Sequence, residues 1–390
     1  MGKPSGCDIF CAVVDNYGDI GVCWRLARQL ANEHSMAVRL WVDDLASFAR
    51  LCKEMDPALP VQSCRGVEIR RWDEAFPQVE PLPLVIEAFA CRLPENYVAT
   101  MAAQASQPVW INLEHLSAEG WVEGCHKLPS PHPQLPLVKY FFFPGFTPQT
   151  GGLLLERGLL ERRDAFQRNP QAVAAFWQAL GVPPGKPDEI RISLFCYENP
   201  ALPGLLAGWA KGGAPVCCLV PEGRALPQVA GFFGQGPAAP GNVLRRGNLE
   251  VHVLPFVEQE RYDELLWACD INFVRGEDSC VRAQWAARPF VWHIYPQHDG
   301  VHMHKLSAFM GLYCAGLPPE AAGALRSLWE CWNGGEGVVP GHIGQEWNEF
   351  LACRSMLLRK AGGWAQQLSG NNLALNLLDF FREVGKIRAS

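Results

Sequence analysis

Nowhere does the sequence hold an unbroken apolar run of the ~18 residues that a membrane-spanning helix needs. The opening MGKPSGCDIF has no charged start, apolar middle or small-residue cleavage site, so no secretory leader is expected. Gly6 stands where a myristoylation signal wants Ser or Thr. The 15 cysteines include no C-x-x-C pair, which removes the usual zinc and disulfide spacings. Several cysteines sit in apolar runs, where a free thiol behaves as a small hydrophobe, and this usage suits a reducing cytoplasm. No dense basic run accompanies the net charge of -6, which argues against general nucleic-acid binding. Also missing are the G-x-G-x-x-G dinucleotide fingerprint, a Walker loop, a G-x-S-x-G elbow and a D-x-D pair after a strand.

What is present is an ordinary globular balance, 48% apolar and 19% charged, in a chain of 390 residues, long enough for two or three domains. The first half alternates strand and helix signals. CDIFCAVVD, AVRLWVDD, LPLVIEAFA and QPVWINLEHL read as strands, and the run to Ala31 that begins near Asp19 or Ile20, LASFARLCKEM and ENYVATMAAQ as helices. From Leu128 to Gly152 the run is rich in Pro, Gly and aromatics and reads as a long surface loop. After the helical AVAAFWQAL and the break GVPPGKPDE the rhythm restarts with EIRISLF, PVCCLVP, VHVLPF, DINFV and PFVWHIYP as strands, and the chain closes on helices. The expected class is therefore α/β: a first doubly wound domain over 1–155, a connecting segment 156–187, a second domain over 188–364, and a terminal helix, 365–390, returning to the first domain.

Two strand-to-helix joints carry chemistry. In the first, VVDNYGDIG, Asp15 and Asp19 stand where a dinucleotide site would place glycines. One reading makes Asp19 a helix cap; the other points one or both acids into the crevice as proton acceptors. In the second, NFVRGEDSCVRAQ, a helix N-terminus offers backbone N–H groups to phosphate and Arg275 adds a clamp, while Glu277 and Asp278 suit sugar hydroxyls. Capping by Asp278 or Ser279 is the structural alternative. Phe195 and Tyr197 after one strand, and Phe256 with Gln259 after another, offer aromatic faces to a flat base or belong to the core. The histidines of HIYPQHDGVHMHKL, His293, His298, His302 and His304, lack the partnership of H-x-x-x-H with Glu that marks a helical metal site, and Glu114 and Glu119 in NLEHLSAEG either meet an acceptor or decorate a turn.

At these residues the chain resembles a known family. VVDNYGDIGVCWRLARQLA, VIEAFACRLPE, INLEHLSAE, SLFCYEN, LPFVEQERYD, NFVRGEDSCVRAQWA and IYPQHDGVH are similar to the EarP family of bacterial protein-arginine rhamnosyltransferases, over nearly the whole chain. The resemblance implies a GT-B glycosyltransferase with two Rossmann-like domains facing across a cleft. It implies dTDP-β-L-rhamnose as donor, an arginine of elongation factor P as acceptor, inversion at the anomeric carbon, and no metal or other cofactor. It places the catalytic acids on Asp15 and Asp19, with Asp19 the base, and Asn16, Tyr17 and Gly18 beside the donor. The nucleotide pocket falls on Phe195, Tyr197, Phe256 and Gln259. The phosphate and ribose contacts fall on Arg275, Gly276, Glu277, Asp278 and Ser279, with Glu277 essential. His115 differs from the aromatic expected in that segment, which bears on the acceptor side. Neither membrane nor nucleic acid is an expected partner. The competing readings are a GT-B enzyme with another nucleotide sugar or acceptor, and a non-catalytic nucleotide-binding protein on the same fold.

Overall fold

The structure, a computed structural model, describes residues 6–14, 17–297, 300–335 and 343–389. It divides into two units: Met1–Arg157 with Leu368–Ser390, and Gly158–Gln367.

The first unit is built on eight strands: β1 (Gly6–Cys11), β2 (Ala37–Val42), β3 (Val61–Cys64), β4 (Val67–Arg71), β5 (Leu84–Ala88), β6 (Val109–Leu113), β7 (Pro129–Pro131) and β8 (Val138–Phe142). Their order is β3-β4-β2-β1-β5-β6-β8-β7. The inner six run parallel and the two edge strands are antiparallel. All six residues of β1 are buried, as a central parallel strand covered on both faces requires. Sequence order reverses between β1 and β5, and this switch point opens at the carboxyl ends of those strands, where α/β folds take their ligands. Asp8 is a fully buried charge inside β1. Its carboxylate accepts from the Arg39 guanidinium (2.6 Å), Trp41 Nε1 (2.9 Å), the Leu82 N–H (2.9 Å) and the Tyr97 hydroxyl (2.7 Å), which satisfies the charge and ties β1 to β2, to the segment before β5 and to the Tyr97 helix.

The expected loop over 128–152 is corrected here. It contains β7 and β8, and β8 sits inside the sheet between β6 and β7. Leu137, Phe142 and Phe143 are buried. Proline cannot donate to a ladder, so Pro129 and Pro131 are confined to the edge strand. Beyond it, Gly152 takes φ +78°, and a Cβ there would lie 2.2 Å from the Asn371 carbonyl oxygen. Leu153 exchanges hydrogen bonds with Asn371 and Leu373, so the terminal helix Leu373–Ala389 belongs to the first unit.

The second unit has six strands: β9 (Ile190–Leu194), β10 (Val216–Pro221), β11 (Val243–Arg246), β12 (Leu249–Leu254), β13 (Ile271–Arg275) and β14 (Phe290–His293). Their order is β11-β12-β10-β9-β13-β14, parallel except for the edge strand β11. The switch point here lies between β9 and β13. The stretch 158–187, most of the expected connecting segment, belongs to this unit. Its helix Pro170–Ala179, capped by Asn169, sends Phe176 and Trp177 into a core with Leu219, Leu254 and Leu265.

Candidate active site

The joint after β1 is held by two carboxylates. The Val13 N–H donates to Asp43 Oδ1 (2.9 Å) and the Val14 N–H to Asp19 Oδ2 (2.9 Å). The helix Gly18–His34 begins after Tyr17, with no side-chain cap. The capping reading of Asp19 is thus corrected: its carboxylate, 8% exposed in the first helical turn, holds the amide of the preceding loop. Asp44 is the acid that caps its own helix, Leu45–Leu51, accepting from the Ser47 N–H (3.0 Å). Gly18 is the first helical residue, and the Tyr17 ring lies 5.9 Å from the Arg50 guanidinium. Asp15 and Asn16 lie outside the described residues.

At the facing end of β5 the backbone carries three non-glycine residues with positive φ: Phe89 (55°), Ala90 (54°) and Arg92 (55°). Such strain gathers where a site fixes the backbone, and the sequence offered no signal for it. Buried Glu87 steadies this loop, accepting from the Arg92 N–H (3.1 Å), Trp110 Nε1 (3.0 Å) and Lys139 Nζ (3.1 Å). Phe89 stacks on His115 at 4.6 Å, and the Ser117 hydroxyl donates to Glu119 (2.9 Å). These side chains and the 79%-exposed Val14 flank the ends of β1, β5 and β6.

The second joint brings together most of the residues the sequence singled out there. Phe195 and Tyr197 follow β9, and Arg275 ends β13 beside it. The Arg275 guanidinium lies over both rings, 4.4 Å from the Phe195 centroid and 4.6 Å from that of Tyr197. The faces turned to Arg275 are therefore taken, and a base can use only the remaining ring surface. Arg275 is 6% exposed, and its Nη1 has no hydrogen-bond partner among the described residues. Gly276 takes φ +61° in the turn, where its carbonyl accepts from Trp292 Nε1 (2.7 Å). Glu277 occupies the N-cap position of the helix Asp278–Trp285 without a side-chain cap. The Ser279 hydroxyl accepts from the Arg275 N–H (3.0 Å) and donates to the Arg275 carbonyl, which closes the turn. Buried Gln259, at the start of the helix Gln259–Ala268, donates to Asp278 (3.5 Å), and Phe256 is half-buried just before it.

Arg282 and Asp263 fix the angle of the helix Asp278–Trp285 with a bidentate pair of 2.8 and 2.6 Å, both residues buried. Asp263→Ala strips the bidentate carboxylate from a buried guanidinium. It is expected to lower unfolding free energy by about 3–5 kcal/mol, read as a lower urea midpoint with an unchanged slope.

His293, at the end of β14 and in register with Arg275, is 5% exposed, and its ring meets Tyr197 at 5.2 Å and Trp332 at 5.7 Å. Burial, with the Arg275 charge second, pushes its pKa down to about 3. Unfolding restores a value near 6.5, so below that pH the unfolded chain takes a proton that the folded chain refuses, and stability falls as pH falls. Between pH 7 and 5 this histidine costs about 2 kcal/mol. His293→Asn is expected to remove that amount from the decline in unfolding free energy over the interval, read from urea titrations at the two pH values.

Among the described residues one group could hold a metal ion: Cys52, Glu54 and Cys64. It lies toward the β3 edge of the first sheet, remote in sheet order from β1. Glu54 already pairs with Arg65 (2.9 Å), and burial pushes the Cys64 thiol up to about 12, so this set is poorly suited to a metal that needs thiolates. The 52–64 spacing gave no sign of it. His302 accepts from the Gln297 N–H (3.1 Å), and His298 lies outside the described residues.

The family model for the elongation factor P (EF-P) rhamnosyltransferase EarP matches residues 7–382. Protein-arginine rhamnosyltransferases of Pseudomonas putida and Pseudomonas aeruginosa are 50% and 51% identical, each over 96% of this chain and 98% of its own length. One from Neisseria meningitidis is 36% identical over 97% of both chains. A solved structure that presents the structural basis for EarP-mediated arginine glycosylation of EF-P is 38% identical, with a TM-score of 0.67 over 97% of this chain and 99% of that one. MurG from Acinetobacter baumannii shares the fold alone, at 13% identity and a TM-score of 0.53 over 98% and 100% of the two chains. With two Rossmann-like units of the GT-B glycosyltransferase type and a match along nearly its whole length, the chain belongs to the EarP family of rhamnosyltransferases.

Proposed function

We propose that this enzyme moves L-rhamnose from dTDP-β-L-rhamnose to an arginine side chain of elongation factor P, with inversion at the anomeric carbon. The observation that carries the donor half is Arg275: a buried guanidinium at the switch point of the second sheet, one of its donors without an acceptor among the described residues. A buried donor left over costs about 1–3 kcal/mol, which a phosphate oxygen relieves. The first turn of the helix Asp278–Trp285 adds backbone N–H groups and a favourable dipole. Glu277 and Asp278 suit sugar hydroxyls, and Phe195, Tyr197, Phe256 and Gln259 suit the nucleoside.

The acceptor is a poor nucleophile, because a guanidinium has a pKa above ~12 and its lone pairs are delocalised. A carboxylate beside it localises the charge on one nitrogen and takes a proton as the C–N bond forms. Asp19, fixed by the Val14 N–H at the first switch point, is the base in this reading, and Asp15 orients it or holds the arginine. The bond from the anomeric carbon to the phosphate oxygen breaks as dTDP leaves with the electron pair, its growing charge met by Arg275 and the helix dipole. Attack on the face opposite the departing dTDP inverts the centre. Phe89, His115 and Glu119 are the candidate acceptor contacts. This chemistry uses no metal.

Two measurements separate this reading from an enzyme with another sugar nucleotide. Calorimetric titration should find dTDP bound more tightly than UDP, and NMR of the glycosylated arginine should show the α-anomer. Equal binding of UDP would remove the donor assignment, and a β-linked product would remove the inverting geometry.

A further inference from the structure

A pocket of about 930 Å³ opens in the second unit, within the upper range of ligand sites, which is about 300–1,000 Å³. It lies at the opposite end of the sheet from the donor residues. Arg191 is the second residue of β9, Ala268 precedes β13 and Arg288 precedes β14, whereas Phe195, Arg275 and His293 lie at the carboxyl ends of the same strands. Five-residue strands put about 15 Å between the two ends. The walls are apolar and aromatic, with Trp177, Trp267 and Val182 among them.

Two arginines supply charge. Arg191, 7% exposed, stacks on Trp177 at 4.6 Å, pairs with Glu189 (3.0 Å) and donates to the Pro183 carbonyl (2.6 Å), which leaves Nη1 buried without an acceptor among the described residues. Arg288 has no ion pair there at all, and its Nε is buried without an acceptor. The nearby carboxylate, Asp270, is already bound by Arg354 (2.6 Å) and the Arg191 N–H (2.8 Å). Arg163 has its own partner in Asp164 (2.7 Å). Burial presses the Arg288 pKa below its ordinary value, with the Asp270 charge offsetting this in part, and arginine does not lose its proton in proteins, so a half-buried charge with no carboxylate of its own lines the pocket.

We propose that this pocket is a second binding site, for an amphipathic organic anion whose apolar body rests on Trp177 and Trp267 and whose single carboxylate or phosphate meets Arg288. Charge complementarity selects this occupant: three of the four arginines in the neighbourhood have a carboxylate of their own and Arg288 does not. A neutral apolar ligand would leave that charge unanswered, and a nucleoside diphosphate finds its built site at the other end of the sheet.

The test uses the full chain, saturated with dTDP, and the dye 8-anilinonaphthalene-1-sulfonate beside its neutral analogue N-phenyl-1-naphthylamine. One sulfonate dye per chain is expected, bound at least fivefold more tightly than the neutral one. Arg288→Gln should weaken the sulfonate at least fivefold and leave the neutral dye and dTDP unchanged. Ala174→Trp, at an exposed helix position on the rim, should exclude both dyes. Displacement by octanoate or octyl phosphate, and not by octanol, would support the proposal and separate the two anion classes. The proposal is overturned if no dye binds, if dTDP displaces the dye, if the neutral analogue or octanol competes equally, or if Arg288→Gln changes nothing.

Discussion

Replacing Asp19 by Asn is expected to lower the rate of arginine glycosylation about 1,000-fold while dTDP binding stays within twofold of wild type. The size follows from the role: a positioned base contributes about 100- to 10,000-fold, and a 1,000-fold loss is about 4 kcal/mol of barrier. The selectivity follows from the geometry. Asp19 sits in the first unit and bonds the Val14 N–H (2.9 Å), whereas Arg275 and the aromatic residues proposed to hold dTDP belong to the second unit. The Asn amide oxygen still accepts from Val14, so the loop keeps its shape and only the proton-accepting charge is lost. Loss of dTDP binding, or a melting temperature several degrees lower, would assign Asp19 a structural role instead. Single-turnover rates together with calorimetry read both quantities.

Arg275→Ala should do the opposite. Binding of dTDP is expected to weaken about 30- to 100-fold, or about 2–3 kcal/mol, the worth of charge-assisted hydrogen bonds to phosphate. A smaller loss for dTMP than for dTDP would place the contact on the diphosphate. Arg275→Lys should fall between, because lysine restores charge without the planar fork that lies over Phe195 and Tyr197. If Lys and Ala are equally impaired for thymidine itself, the arginine serves the aromatic stack and not the phosphate.

Both strand-to-helix joints were legible in the sequence because buried parallel strands read as continuous apolar runs, and CDIFC, EIRISL and DINFV each end at a polar joint, whereas the strand orders that make these joints switch points were not. What pattern could not separate was the task of each joint residue. An acid in a first turn looks the same whether it caps its own helix, as Asp44 does, or reaches back to the preceding loop, as Asp19 does. The β3–β4 hairpin had a signal that went unread. Its Arg65-Gly66 turn takes positive φ at both positions, 47° and 83°, which marks a two-residue hairpin turn. Proline masked β8, since the prolines of 129–136 belong to the neighbouring edge strand and its turn. Helices over Val301–Cys314, Pro319–Trp332 and Ile343–Ala352 were also missed, in stretches where Trp, Cys and Gly blur the helical period. The positive φ values at 89–92 and the pairing of His293 with Arg275 are products of tertiary contact and carry no local pattern.

The most direct measurement is the intact mass of purified elongation factor P after incubation with this protein and dTDP-L-rhamnose, with Asp19→Asn run alongside. A gain of one deoxyhexose on a single arginine with the wild-type chain, and none with Asp19→Asn over the same time, is the predicted result. An unmodified acceptor in a preparation that still binds dTDP would contradict the account, as would equal modification by the variant.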